Sequence, residues 1–297
     1  MNNIILKIAL AVGYIIIAPL VGGFLAGLDR VISARMQGRK GPSVWQAYRD
    51  IIKLNSKELL VVNHIQGILL MTYLVLSVVP GVMLYTGYGL LMTIFIASTA
   101  SMFFILAGAS TDSPFSNLGT QREMLQKMCV EPIELLTAVG FYMACGSFSA
   151  DVIIHCEVPA IVKLPGVFIA LVAALIMKMR KSPFDLSTSH HAHQELVKGI
   201  TTEMVADYLS ITEVCEWYEN IFMLSIIAMF FMSGNGVGSI IRGIVAALIV
   251  WFFVILVDNT TARLKWQTSL KTMWLMTLLP CGLNLLILDL IQLSTKM

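Results

Sequence analysis

Eight mostly apolar stretches divide this chain, at roughly 4–28, 65–86, 88–109, 124–148, 162–180, 214–233, 238–258 and 270–292. Each comes close to the length of about 20 residues that an α-helix needs to cross a bilayer. The pattern predicts an all-α, polytopic membrane protein with about eight transmembrane helices. Composition agrees, with 57% hydrophobic and only 13% charged residues, where soluble domains carry about 25% charged. The mean hydropathy of +0.81 points the same way. Short turns around Gly87 and Gly234–Gly238 make the flanking runs antiparallel neighbours. No long repeat or linker divides the chain, so 1–297 reads as a single integral membrane domain. The first run lacks a basic n-region and a small-residue exit, and reads as a span and not as a cleaved signal.

Lysine and arginine are distributed unevenly between the connections. Those after runs one, three, five and seven carry seven, two, four and three, against four on the opposite side. By the positive-inside rule both termini lie outside, and the loops at about 29–64, 110–123 and 181–213 lie in the cytoplasm. A net charge of +2 with no basic tail argues against nucleic acid as a partner. The cysteines 129, 145, 156, 215 and 281 form no CxxC pair. They read as small apolar residues, and iron–sulfur clusters, which need several closely spaced thiolates, are not expected on this chain.

Ionisable groups within the apolar runs carry the candidate chemistry, because charge inside a membrane is costly and commonly functional. Glu131 and Glu134 lie three apart beside Pro132, so they share a helix face and suit a proton path or a cation partner. Solvation near the helix end, or pairing with Arg122, is the plainer alternative. Glu213, Glu216 and Glu219 form a second series, each step of three rotating about 60° backwards. Three carboxylates on one drifting stripe favour proton sharing or contact with the basic first loop; a wet helix start is the alternative. Glu203 and Asp207 precede them.

The longest polar interruption runs from Lys178 to Glu219, with three of the five histidines and seven of the eighteen acidic residues. His190, His191 and His193 suggest a metal site, since imidazole is a common ligand. No cysteine or HExxH pattern accompanies them, and a loop that contacts a partner or handles protons is the preferred reading. The first polar loop places Arg30, Arg35, Arg39, Lys53 and Lys57 among Asp29, Asp50 and Glu58. After the Gly41–Pro42 turn, Trp45, Tyr48, Ile51, Ile52 and Leu59 recur at near-helical spacing, as in an amphipathic surface helix. The loop suits protein docking.

Three motifs carry a family resemblance. ARMQGRKGP followed by DIIKLNSKE, SPFDL with ELVKGITTE, and REMLQKMCVEPIELL resemble the signatures of the subunit-1 family of respiratory complex I and of membrane-bound group 4 nickel–iron hydrogenases. The stretch STSHHAHQ replaces the acidic run of quinone-reducing members. With ITEVCEWYE, it looks more like the energy-converting, ferredoxin-using hydrogenases. The resemblance implies a complex I subunit-1-like fold in a prokaryotic cell (inner) membrane. It also implies a non-catalytic coupling subunit that anchors a soluble hydrogenase arm, small and large subunits together, beside antiporter-like membrane subunits. The nickel–iron centre and iron–sulfur clusters would then sit on those partners, and no cofactor or metal on this chain. Arg30, Arg35, Arg39, Lys53, Lys57, Asp185, His190, His191, His193 and Glu195 would dock the arm. Glu131, Glu134, Glu203, Asp207, Glu213, Glu216 and Glu219 would relay charge. A quinone-site subunit and an ion transporter are the alternatives.

Overall fold

The computed structural model describes residues 2–58, 63–184, 187, 198–234 and 236–296. Backbone groups in hydrocarbon have no water to bond, so the apolar runs close their hydrogen bonds within helices. The order is α1 (Asn2–Met36), α2 (Gln46–Asn55), α3 (His64–Tyr85), α4 (Leu90–Ala109), α5 (Pro114–Cys145), α6 (Ala150–Ile154), α7 (Ala160–Lys163) and α8 (Pro165–Lys178). It continues with α9 (Asp207–Met229), α10 (Val237–Thr260), α11 (Trp266–Met276) and α12 (Leu283–Lys296). A π-helical stretch, Thr277–Gly282, joins α11 to α12 as one span. The protein is an all-α, polytopic membrane protein.

Six spans meet the length and composition that crossing requires: α1, α3, α4, α5, α10 and the α11–α12 unit. The two other expected runs are helical but differ for physical reasons. Helix α8 has 14 residues, about 21 Å at 1.5 Å per residue, shorter than the hydrocarbon core. It is cut short because Leu164, before Pro165, is pushed out of helical geometry (φ −124°, ψ 44°), as expected of a residue preceding proline. The amides of Gly166 and Val167 then donate to Asn284 Oδ1 at 3.1 and 3.3 Å. The last span thus caps α8 from outside. Helix α9 has 23 residues but carries Glu213, Glu216 and Glu219, which lower its apolar character.

Two expected loops are shorter than the sequence suggested. Helix α5 starts at Pro114, a residue suited to the first helical position, so most of 110–123 is helical. Helix α9 starts at Asp207, inside the expected 181–213 loop.

Chain reversals alternate between two faces. On one, Leu90 N bonds Phe148 O at 2.8 Å and Gly234 N bonds Cys156 O at 2.9 Å. On the other, here the loop face, Asn63 Nδ2 donates to Ser110 O at 2.9 Å and Asn259 Nδ2 to Ser33 Oγ at 3.0 Å. The core runs between α5, α8, α9 and α10, with Phe141, Leu171, Ile227 and Phe230 fully buried. Amphipathic α2 lies against α1 and α9, with Tyr48 stacked edge-on to Trp217 at 5.5 Å.

Candidate functional site

Where α8 ends, the chain makes an unusual choice. Lys181 N bonds Ile176 O at 3.1 Å and Arg180 N bonds Met177 O at 3.0 Å, the paired bonds of a Schellman cap. The residue that must turn left-handed there is Arg180, at φ 51°. Glycine is the usual occupant, and an L-residue costs about 1–2 kcal/mol in this region. The side chain offsets that cost. Its guanidinium binds Glu216 of α9, reaches Glu123 of α5 at 3.3 Å, and lies 5.0 Å over the Phe104 ring. Such strain is typical of places where side-chain position matters more than backbone comfort.

Arg180 walls a cavity of about 110 Å³ at the loop-face end of the bundle. Eight of its fourteen lining residues are ionisable: Glu123, Glu213, Glu216 and Glu219 against Lys127, Lys178, Arg180 and Lys198. Four carboxylates face four cations, and that balance lets half-buried charges gather beside buried Lys127 and exposed Lys198. Glu219 accepts from Tyr73 Oη at 3.1 Å. Lys127, buried, donates to Ser101 Oγ at 2.8 Å. Lys178, from the cavity wall, pairs with buried Glu134 at 2.8 Å. Glu123 Oε2 and Glu134 Oε2 are enclosed without a hydrogen-bond partner among the described residues, leaving acceptor sites open for a proton or a water.

A second cluster ties the same segment to two other helices. Lys181 bridges Asp29 of α1 at 2.7 Å and Asp258 of α10 at 3.0 Å, and Ser182 N donates to Asp258 at 2.9 Å. Burial alone would lower the Lys181 pKa, but the two aspartates outweigh it and hold the ammonium above its ordinary value.

Residues 8–289 match the family model described as NADH dehydrogenase. The chain belongs to that family. Among its relatives, the hydrogenase-4 component C of Escherichia coli is 27% identical, with 92% of each chain covered. The formate hydrogenlyase subunit 4 of the same organism is 28% identical over 87% of this chain and 90% of its own. An NADH-ubiquinone oxidoreductase chain 1 from Mycosarcoma maydis is 25% identical over 89% of each chain. In fold, the NADH dehydrogenase family chain matches one from the membrane-bound sulfane sulfur reductase, an archaeal respiratory membrane complex. That match has a TM-score of 0.84 at 18% identity and covers 95% of this chain and 99% of the other.

Of the relay residues expected from sequence, Glu213, Glu216 and Glu219 come together at the cavity, and Glu134 joins through Lys178. Glu216 pairs with Arg180, while the cations acting on Glu213 are Arg30, of the expected first loop, and Lys198. Glu131 does not share the surroundings of Glu134: it accepts from Ser98 on α4, because the 60° offset points it at a different neighbour. Glu203 is half-buried and Asp207 exposed, and neither lines the cavity. In the first loop Arg30 pairs with Asp50 at 2.5 Å, while Arg35, Arg39, Lys53 and Lys57 are exposed. Asp185, His190, His191, His193 and Glu195 lie outside the described residues. Among the described residues no three His, Cys, Asp or Glu side chains gather as a metal site. Sequence reasoning missed Glu123, Lys127, Lys178, Arg180 and Tyr73 as site members. The available signal was basic residues at the ends of apolar runs, which served only to orient the chain.

Proposed function

We propose that this chain is the membrane-anchoring and coupling subunit of a multisubunit, ferredoxin-linked nickel–iron hydrogenase, linking redox chemistry in a soluble arm to H+ or Na+ movement. One observation carries the coupling role: the partly enclosed, charge-balanced cavity around Arg180. In a poorly solvated site an added charge is not screened, so it must be met by moving a proton or a cation. A charge change at the docked arm would be answered by protonation within Glu123, Glu213, Glu216 and Glu219. Lys178 and Glu134 carry that response toward α5, with Glu131 facing α4 beyond. The exposed Arg35, Arg39, Lys53 and Lys57 supply the docking surface for the small and large hydrogenase subunits. The nickel–iron centre and clusters belong to those partners, and antiporter-like subunits take the lateral contacts. The similarity to hydrogenase-4 component C and formate hydrogenlyase subunit 4 supports this branch.

A quinone-site role is the second reading, favoured by the NADH-ubiquinone oxidoreductase relative. The cavity of about 110 Å³ is small beside the roughly 300 Å³ or more typical of organic-ligand sites, and its lining is ionic. Purification of the intact complex from native membranes separates the two. Hydrogen evolution from reduced ferredoxin, with hydrogenase subunits co-purifying, supports the proposal. Inhibitor-sensitive quinone reduction without hydrogen evolution overturns it.

A further inference from the structure

Lys127 of α5 lines the cavity and is only 7% exposed. Its neighbours Lys178, Arg180 and Lys181 are each bound to carboxylates: Glu134, then Glu216 with Glu123, then Asp29 with Asp258. Among the described residues Lys127 instead donates to a neutral group, Ser101 Oγ of α4, at 2.8 Å. Ser101 is buried as well, and its own proton goes to Ala97 O at 3.2 Å. A carboxylate partner fixes an ammonium in its charged form, because losing the proton would strand a buried anion. A hydroxyl does not. It accepts from the ammonium, and by rotating it can donate to a neutral amine. Ser101 therefore suits Lys127 in either charge state.

Helical spacing sets Lys127 between acids. Glu123 and Glu131 lie four residues before and after it, each about 6 Å away along the α5 axis at 1.5 Å per residue and close to the same face. On α4, Ser98 lies three residues before Ser101, and it donates to Glu131. Two α4 serines thus hold a cation and an anion from adjacent turns of α5. The cation opens on the cavity, and the anion lies beyond it. The other charged groups around the cavity are Lys178 and Arg180 at the end of α8, Lys198 before α9, and Glu213, Glu216 and Glu219 on α9. A volume of about 110 Å³ has room for water between these groups and Lys127.

We infer that Lys127 passes protons between the cavity and Glu131, with Ser101 holding it in both charge states; the inference rests on the coupling role proposed above. The ammonium gives one proton to the Glu131 carboxylate, leaving an amine and a neutral acid. The amine then takes a proton from a protonated carboxyl of the cavity and becomes an ammonium again. One proton has moved from the cavity to Glu131, and no electron is exchanged. Away from bulk water the neutral amine and acid avoid the desolvation cost of two charges, which brings the two charge states closer in energy. Lysine suits this step and arginine does not, because a guanidinium stays charged.

The test compares Lys127→Arg, Ser101→Ala and Ser101→Thr in the complete complex in proteoliposomes. Ions moved per hydrogen evolved from reduced ferredoxin are read across a range of pH, beside subunit composition. Assembled Lys127→Arg, which keeps the charge without an exchangeable proton, should lose ion movement. Ser101→Ala takes a charge-assisted bond from the ammonium, so the alkaline limb of ion movement should shift to lower pH. Ser101→Thr, which keeps the hydroxyl, should return it to the wild-type position. Wild-type ion movement in assembled Lys127→Arg, or a Ser101→Ala profile that matches wild type, would mark Lys127 as a fixed countercharge. Either result overturns the inference and leaves the coupling role standing. The serine variants decide the matter where the bulk of arginine prevents assembly. A wild-type complex that evolves hydrogen and moves no ions would overturn the coupling role, and this inference with it.

Discussion

Lys178 and Glu134 form an ion pair of 2.8 Å with side chains only 10% and 1% exposed. It joins the end of α8 to the middle of α5, beside a cavity that already holds a balanced set of charges. Neither partner could be left alone there, since an unpaired buried charge costs several kcal/mol.

Glu134→Gln should therefore destabilise the complex by about 3–5 kcal/mol, the range for breaking one side of a buried pair. Replacing both partners, as Glu134→Gln with Lys178→Met, should recover most of that loss and leave ion movement impaired. Thermal unfolding of the purified complex, read beside its transport activity, checks both halves.

Arg180→Lys keeps a positive charge but loses the planar fork that reaches Glu216 and Glu123 together, so it is not a conservative change. It should lower coupling between hydrogen evolution and ion uptake by about tenfold while leaving assembly intact. Co-purification of all subunits and a transport assay test it. Wild-type coupling in the assembled variant would count against the role given to Arg180.

Lys181→Met leaves Asp29 and Asp258 facing each other without a cation. Because the folded pKa of Lys181 is raised, its stabilisation is complete below the unfolded lysine value of about 10.4. It is lost only as pH rises through the higher folded value. The melting-temperature gap between wild type and variant should stay constant from about pH 7 to about pH 9 and close only beyond the ordinary lysine range. A gap that narrows steadily across neutral pH would contradict this.

Gly27→Ala places a methyl 1.8 Å from the Val44 carbonyl oxygen. A backbone oxygen cannot rotate away, so α1 and the chain leading into α2 must separate, at about 1–3 kcal/mol. Faster trypsin cleavage at Arg49 and Lys53 is the expected sign.

The membrane architecture was legible because apolar runs must close their own hydrogen bonds, and the Glu213–Glu216–Glu219 stripe was legible from its spacing. The cavity was less so. Lys127, Lys178 and Arg180 look like ordinary face charges until the α8 cap turns Arg180 inward, and no sequence rule places an arginine in a left-handed position. Glu131 and Glu134 look equivalent at a spacing of three, yet α4 and α8 lie on either side of that 60° offset and separate them. The run 162–180 read as a full span; Pro165 cuts it to the 14 residues of α8, and the cap comes from Asn284, more than a hundred residues away.

Glu219→Gln tests the coupling claim most directly. The amide can still accept from Tyr73, while the titratable group is gone. In proteoliposomes carrying the complete complex, ions moved per hydrogen evolved from reduced ferredoxin should fall sharply, with subunit composition unchanged. An unaltered ratio in a fully assembled complex would contradict the account.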